Sequence, residues 1–214
     1  VELVDTNGCL DRDSFVVETQ VCSATHGTFG PDTVICSGES TFIYTVGPVG
    51  TIQWQDSSAA TGLWQDVPGP FANSQVLITS PLTDTTFYRI ISDNGLCLDT
   101  SATVVTVAVT PEPQLDSIII SGVDTVCVNG TTTLEALGVN ASADVQWQTS
   151  LTGVAGWTNI STGVGFDSTV FVPASMSASR YYRAQVATAC DTILSNAVFV
   201  EVNDSAQGSF PTAL

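Results

Sequence analysis

The chain contains one sequence unit of about ninety residues in tandem, and this repetition limits the folds it can adopt. The unit runs from a cysteine through Gln-Trp-Gln, a second tryptophan and Tyr-Arg to another cysteine. The first copy extends from Cys36 to Cys97 and the second from Cys127 to Cys190. Tandem arrays of small domains usually act as spacers, fibres or adhesive surfaces, and seldom as active sites.

A partial third copy lies at the amino terminus. Residues 1–21 are similar to residues 89–109, and Asn7-Gly8-Cys9 takes the position of Asn94-Gly95-Leu96-Cys97. The chain is expected either to be part of a longer array or to be completed by neighbouring subunits. We therefore predict a terminal hairpin of a preceding incomplete repeat, two full repeats and a connector to a further repeat, with the boundaries 1–21, 22–110, 111–203 and 204–214.

The charge balance excludes several classes of partner. The sequence has 21 acidic residues, four arginines and no lysine, which gives a formal net charge of −17. Such a charge repels phosphate backbones and anionic membrane surfaces, so we expect neither nucleic-acid binding nor membrane insertion. No apolar run in the sequence is long enough to span a bilayer as a helix.

Secondary structure is predicted to be β throughout, because short segments rich in β-branched and aromatic residues alternate with turn clusters. The predicted strands are 41–46, 51–55, 75–78, 86–91, 103–109, 132–136, 144–148, 170–172, 179–186 and 197–202. About seven short strands per repeat favour an all-β fold of tandem Ig-like Greek-key β-sandwiches. Pro111 and Pro113 mark the short linker, since proline cannot continue a strand ladder.

The aromatic residues divide into core and surface candidates. The predicted core residues are Trp54, Trp147, Tyr88 and Tyr182. Both of these tryptophans lie mid-strand between glutamines, so the indole points inward while the amides point outward. Trp64 and Trp157 follow Gly-containing turns. We expect them to cover a sheet edge, with stacking on a sugar ring as the alternative.

The shared order of motifs carries a family resemblance. The first copy reads Cys36-Ser37-Gly38, Trp54-Gln55-Asp56-Ser57, Leu63-Trp64, Thr86-Phe87-Tyr88-Arg89 and Cys97. This order resembles the immunoglobulin-like (PKD-like) repeats of Bacteroidota surface adhesins and filament proteins that are exported by the type IX secretion pathway. Two departures occur: an extra residue precedes the glycine in Cys127-Val128-Asn129-Gly130, and Asp56 replaces a neutral polar residue.

The resemblance implies a non-catalytic structural or adhesive segment, extracellular or on the cell surface, whose partners are neighbouring repeats or identical subunits. Assembly by strand complementation, with the terminal hairpin completing a neighbour's sheet, is a variant of this function. The alternative is a carbohydrate-binding accessory module of a secreted enzyme, with surface glycans as the partner. No enzymatic activity is expected, because the only histidine, His26, has no matching nucleophile.

The resemblance also implies O-glycosylation at Asp-Ser or Asp-Thr followed by an apolar residue or threonine. Attached sugars would form a hydrated coat on turns and linkers. The candidate positions are Thr33, Thr85, Ser117, Thr125, Ser168, Thr192 and Ser205.

Six cysteines without a Cys-x-x-Cys pair favour disulfides over a zinc site. The natural pairing is one disulfide per repeat, Cys36–Cys97 and Cys127–Cys190, each worth about 4 kcal/mol on the chain-entropy estimate. Two cysteines are left over. Cys9 and Cys22 either pair locally, or Cys9 lacks its partner.

No cofactor or metal is predicted with the exception of calcium, which needs six to eight oxygen ligands. The candidate ligands surround one turn and its partial copy: Asp93, Asn94 and Asp99, with Asp5, Asn7, Asp11 and Asp13. The competing interpretation is ordinary turn chemistry, because Asp and Asn side chains satisfy the local backbone.

Overall fold

The computed structural model describes residues 2–12, 14, 16, 21 and 23–203, and the regular elements in these residues are all β-strands. The first two strands, β1 (Glu2–Val4) and β2 (Leu10–Arg12), form a separate antiparallel hairpin. The other strands form two sandwiches, one for each full repeat. The predicted all-β fold of tandem Ig-like sandwiches is confirmed.

The first repeat consists of two packed sheets. Its strands are β3 (Thr28–Phe29), β4 (Thr33–Cys36), β5 (Phe42–Val46), β6 (Thr51–Ser58), β7 (Gln65–Asp66), β8 (Val76–Ile78), β9 (Thr86–Asp93), β10 (Leu98–Thr100) and β11 (Val105–Thr110). One sheet has the order β3-β5-β8. The other has the order β4-β11-β9-β6-β7, with β10 also paired to β9. All of these pairs are antiparallel except β4 with β11, which is parallel.

The second repeat has the same plan. Its strands are β12 (Ser117–Ile120), β13 (Thr125–Cys127), β14 (Leu134–Leu137), β15 (Asp144–Ser150), β16 (Thr158–Asn159), β17 (Val170–Phe171), β18 (Arg180–Ala187), β19 (Thr192–Leu194) and β20 (Val198–Asn203). The sheets have the orders β12-β14-β17 and β13-β20-β18-β15-β16, with β19 also paired to β18.

Alternation along the strands creates the core of the first repeat. Residues of β9 are alternately buried and half-buried, because successive side chains of a strand point to opposite faces. Its inward residues Tyr88 and Ile90 belong to the same buried cluster as Trp54 of β6, which is 0% exposed. The indole N–H of Trp54 donates to the carbonyl oxygen of Ser74 at 2.8 Å, so this buried polar group is satisfied.

The core of the second repeat is built in the same way. Trp147 of β15 is 0% exposed and donates its indole N–H to the carbonyl oxygen of Ser168 at 2.7 Å. Its ring stacks on Phe171 with centroids 5.5 Å apart. Tyr182 of β18 is buried beside Phe171. Each repeat therefore has its own aromatic core.

The chain changes sheets between β3 and β4, and this change determines where the first cysteine of the repeat lies. Gly30 lies in the connection against the ring of Tyr44, where a Cβ atom would approach to 2.7 Å. Strand β4 then runs parallel to the last strand of the repeat, with Cys36 opposite Thr110. In the second repeat Cys127 lies opposite Asn203 in the same register. Both cysteines thus lie where the chain leaves a sandwich.

The turn after each of these cysteines has the same length in both repeats, which corrects the predicted extra residue before Gly130. The backbone N–H of Gly38 donates to Leu82, and that of Asn129 donates to Met176 at the corresponding place. Gly38 has φ 84° and Asn129 has φ 66°, so the asparagine adopts the left-handed conformation in which glycine is usual. No residue is inserted, and the glycine has only moved by one position.

Candidate functional site

The candidate functional site is the junction between the two repeats, where a disulfide joins Cys36 to Cys190. Cys36 ends β4, and Cys190 lies in the turn between β18 and β19. Their Cα atoms are 5.7 Å apart, although 154 residues separate them in sequence. The Cys190 sulfur also lies 3.7 Å from the carbonyl oxygen of Thr110, the last residue of β11. A hairpin turn of the second repeat is therefore bonded to the exit end of the first.

The linker at this junction is held by one side chain of the second repeat. The side-chain oxygen of Asn140 accepts from the backbone N–H of Gln114 at 3.0 Å. Its amide nitrogen donates to the carbonyl oxygen of Glu112 at 3.3 Å. Pro113 between them is buried. The predicted proline linker is therefore fixed on both sides of Pro113, in addition to the disulfide.

The predicted pairing of Cys36 with Cys97 and of Cys127 with Cys190 is wrong. Cys36 lies at the end of the sandwich where β9 begins, whereas Cys97 precedes β10 at the end where β9 finishes. Strand β9 has eight residues, so these two ends are ~25 Å apart. A disulfide needs Cα atoms within about 7 Å. The two cysteines of one repeat cannot meet, whereas the facing ends of successive repeats can.

The remaining cysteines differ in their state. Cys127, the counterpart of Cys36, has a free thiol and is exposed. Cys9 is also free and exposed. Cys97 is disulfide-bonded. Cys22, which was left without an assigned partner by the sequence, lies outside the described residues.

Trp64 and Trp157 each carry an arginine on one ring face. The guanidinium carbon of Arg89 lies 4.2 Å from the centroid of Trp64, and that of Arg183 lies 4.3 Å from the centroid of Trp157. Both indoles are half-buried. These cation–π contacts occupy one face of each ring that a sugar would need.

A hydrogen-bond chain fixes the arginine on the tryptophan in each repeat. The Arg89 Nε–H donates to the side-chain oxygen of Gln55 at 2.8 Å, and the Gln55 amide donates to Asp66 at 2.8 Å. The second repeat has the same chain, from Arg183 through Gln148 to Asn159. The repeated spacing of Trp-Gln and Tyr-Arg was the sequence signal for this arrangement. Only the structure shows that the glutamine holds the arginine on the surface tryptophan.

Three of the turn residues that are candidate calcium ligands accept hydrogen bonds from the backbone. Asp93 accepts from the N–H of Gly95 at 2.7 Å, and Asn94 accepts from the N–H of Cys97 at 3.0 Å. In the amino-terminal hairpin, Asp5 accepts from Cys9 at 2.8 Å. Among the described residues, no three His, Cys, Asp or Glu side chains converge on a possible metal position. Asp13 and the side chain of Asp11 lie outside the described part of the structure.

His26 is joined to Asp99 of β10. The ring Nδ1 and the backbone nitrogen of His26 lie 2.8 and 3.0 Å from the same carboxylate oxygen. The hydrogen bond from the imidazole, with smaller contributions from the backbone N–H and the histidine charge, lowers the pKa of Asp99 below its ordinary value of 3.8. The pair ties the segment before β3 to the hairpin of β9 and β10.

This pair predicts an acid-dependent loss of stability. A carboxyl whose pKa is lowered by folding stabilises the fold at pH above 3.8, and that contribution disappears as the pH falls through the folded-state pKa. We expect the effect to be modest, since both side chains are about 30% exposed and screened by solvent. Melting temperatures measured from neutral to acidic pH should fall more steeply for the natural chain than for Asp99→Asn. Parallel curves would contradict the assignment.

Asp56 carries an orphaned oxygen in the first repeat. Its Oδ1 is buried and has no hydrogen-bond partner among the described residues. It lies opposite Tyr88 in the ladder of β6 and β9. Burial, and to a smaller extent the charge of Asp56, raises the pKa of the Tyr88 phenol well above its usual range. The second repeat has Thr149 at this position, opposite Tyr182.

Exchange of these two residues should move stability in opposite directions. Replacement Asp56→Thr removes an unsatisfied buried oxygen, which typically costs 1–3 kcal/mol, so we expect the first repeat to gain about 1 kcal/mol. The matched substitution Thr149→Asp should destabilise the second repeat by a similar amount. Guanidinium denaturation of both variants tests this, and a destabilised Asp56→Thr variant would show that the carboxylate has a structural role.

The glycosylation candidates differ in access. Three are exposed: Thr125, Ser168 and Thr192. Three are half-buried: Thr33, Thr85 and Ser117. The hydroxyl of Thr85 also accepts from the backbone N–H of Val109 at 3.2 Å. Ser205 lies outside the described residues.

Many solved structures have a similar fold, and three of them illustrate the likeness. A complex of the mouse coronavirus receptor-binding domain with its murine receptor contains a chain with 11% sequence identity and a TM-score of 0.52, over 79% of this chain and 96% of that chain. Murine CEACAM1b matches at 14% identity and a TM-score of 0.48, over 82% and 99%. DIP-gamma IG1+IG2 matches at 13% and 0.48, over 84% and 96%. These identities are low, so the likeness concerns the fold alone.

Two further comparisons concern the sequence. No protein with a curated description matches the chain. One family model matches twice, over residues 25–111 and 116–204. Since these two matches cover most of the chain, it belongs to the family described as Domain of unknown function (DUF8696), of which it carries two tandem copies.

Proposed function

We propose that this chain is a non-catalytic extracellular segment of a long surface adhesin or filament, in which Ig-like repeats are joined end to end and present a surface. The observation that carries the proposal is the Cys36–Cys190 disulfide, which binds one repeat covalently to the next. A flexible linker would have sufficed to tether two independent binding modules. A disulfide at the junction is suited to a chain that must keep successive repeats attached end to end under tension.

The disulfides support an oxidising environment for such a protein. Structural disulfides persist in oxidising compartments and are rare in the cytosol. Within the described part of the chain, no helix is long and apolar enough to cross a bilayer. An extracellular or cell-surface location, with export by a Bacteroidota type IX pathway as the resemblance implies, is part of the proposal.

The division into a terminal hairpin (1–21), two full repeats (22–110 and 111–203) and a connector (204–214) also belongs to the proposal. Its partners are neighbouring repeats or identical subunits. The two-stranded sheet of β1 and β2 supports assembly by strand complementation, because an isolated hairpin is only marginally stable and gains from an added strand.

O-glycans on the exposed candidates would coat the sandwiches with hydrated sugar. We expect Thr125, Ser168 and Thr192 to be modified before the half-buried positions, since an enzyme must reach the hydroxyl. Intact mass and peptide mapping of the chain purified from its natural source would test this order. Modification of Thr33, Thr85 or Ser117 in place of the exposed residues would refute it.

Small-angle X-ray scattering of the oxidised chain tests the structural role. End-to-end repeats give a pair-distance distribution with a long tail, whereas side-by-side repeats give a compact, symmetric one. We expect the long tail, and we expect it to persist when exposed thiols are blocked. A compact profile would contradict the proposed extension.

The alternative, a carbohydrate-binding module, is tested by a glycan array. The arginines on Trp64 and Trp157 reduce the ring surface that is available for a sugar. We therefore expect no glycan binding that depends on these tryptophans. Binding that disappears in a folded Trp64→Ala, Trp157→Ala variant would replace the structural proposal with the carbohydrate-binding one.

A further inference from the structure

Among the residues that the structure describes, Cys9 and Cys127 are exposed free thiols, and they occupy positions equivalent to the two cysteines that are bonded at the junction. Cys127 corresponds to Cys36. Each is the last residue of a short strand that runs parallel to the final strand of its repeat, in the same register. The second repeat therefore ends in the same arrangement to which the first repeat attaches its neighbour.

The turn that follows confirms the equivalence of these ends. The N–H of Glu39 donates to the carbonyl oxygen of Cys36 at 3.1 Å, and the N–H of Gly130 donates to that of Cys127 at 2.8 Å. Backbone geometry around the bonded and the free cysteine is thus the same. The Cys127 thiol therefore lies in the same backbone setting as the Cys36 sulfur that is bonded to Cys190.

Cys9 corresponds to the other partner, Cys190. Each lies in the turn of an antiparallel hairpin, β1–β2 and β18–β19 respectively. In both turns the cysteine N–H is held by the side chain of the residue that opens the turn. Asp5 accepts from Cys9 at 2.8 Å, and Thr188 accepts from Cys190 at 3.2 Å.

We propose that Cys127 is a covalent attachment site for a hairpin-turn cysteine, and that Cys9 of a second copy of this chain occupies it. The resulting bond repeats the Cys36–Cys190 junction between chains and joins copies head to tail. This proposal deepens the structural role given above and rests on it. The structural role and the Cys9–Cys127 pairing can fail separately, because an elongated chain can still pair its thiols at random.

The bond forms by two thiol–disulfide exchanges with a small disulfide such as oxidised glutathione. The Cys127 thiolate attacks one sulfur of glutathione disulfide and releases a glutathione thiolate. The Cys9 thiolate of the second chain then attacks the Cys127 sulfur of the mixed disulfide and releases the second one. The two protons lost by the cysteines are taken up by the two glutathione thiolates, so two thiols are oxidised and one disulfide is reduced.

Two single variants test the pairing. Cys9→Ser leaves Cys127 as the exposed thiol, and Cys127→Ser leaves Cys9; one variant is labelled with ¹⁵N so that masses differ. The two are mixed in a buffer of reduced and oxidised glutathione, and disulfide-linked dimers are counted by non-reducing mass spectrometry. Random pairing gives as much mixed dimer as the two homodimers together. We expect a clear excess of mixed dimer, linked through Cys9 and Cys127 in the peptide map.

Two controls separate docking from reactivity. In guanidinium chloride the excess should disappear, because the folded ends no longer position the thiols. A Cys9→Ser, Cys127→Ser, Ser161→Cys chain carries its exposed thiol in a different loop, and it should pair with Cys9 only at random. Random proportions in the folded mixture, an excess of homodimers, or no dimer at all would each overturn the proposal.

Discussion

Reduction of the disulfides is expected to lengthen the chain greatly when its two ends are pulled apart. In the oxidised chain the Cys36–Cys190 bond carries the tension, and the residues between these cysteines lie within a closed loop that the force cannot extend. Reduction opens a segment of 154 residues, which corresponds to about 500 Å of additional contour at 3.3–3.6 Å per residue. Force spectroscopy with and without a reducing agent measures this gain directly.

The Cys36→Ser variant serves as the matched control for this experiment. The disulfide at Cys97 remains closed in that variant, so its gain in length can be at most that of full reduction. We also expect the variant to unfold at a lower denaturant concentration. On the chain-entropy estimate its free energy of unfolding falls by as much as about 5 kcal/mol. Oxidised and reduced chains of equal contour length would mean that the junction bond does not form.

The second large effect is expected at the core tryptophans. Replacement Trp54→Ala or Trp147→Ala should cost 3–5 kcal/mol, the usual range for deletion of a fully buried tryptophan, and each change also removes the donor to a backbone carbonyl oxygen. The loss should be confined to the repeat that carries the substitution, because each repeat has its own core cluster. Guanidinium denaturation followed by circular dichroism should show one repeat unfolding early.

Trp64→Ala provides the contrast. Its indole is half-buried and rests on Arg89, so we expect a loss of about 1 kcal/mol from the cation–π contact. If Trp64→Ala and Trp54→Ala were equally destabilising, the assignment of core and surface tryptophans would be wrong.

The sequence was sufficient for the fold because the longer strands have a clear period. Segments 51–55 and 86–91 were predicted as strands, and they lie within β6 and β9. Eight strands of two to four residues were missed, since so short a segment shows little alternation: β3, β4, β7, β10, β12, β13, β16 and β19.

The site was less predictable, for a reason of topology. Spacing in the sequence indicates which cysteines recur, but it does not indicate at which end of the sandwich each one lies. Cys36 ends β4, which the chain enters after it changes sheets. This change, which the short strands β3 and β4 conceal in the sequence, places Cys36 opposite Thr110. One sign was present in the sequence: Cys97 follows Tyr88 by too many residues to lie beside it in mid-core. That separation in sequence indicated that Cys97 lies at an end of the sandwich, but it did not indicate which cysteine would be its partner.

The loop closed by the Cys36–Cys190 disulfide also affects what proteolysis does to the chain. Its most accessible points include Leu63 and Val154, which are 74% and 88% exposed in turns of the two repeats. Both lie between Cys36 and Cys190, so a cut at either turn leaves two fragments that remain covalently joined. The strands on each side of the cut are also still hydrogen-bonded within their sheets. A chain of this kind can be nicked in every loop of its second sandwich that precedes Cys190 and still transmit tension from one end to the other.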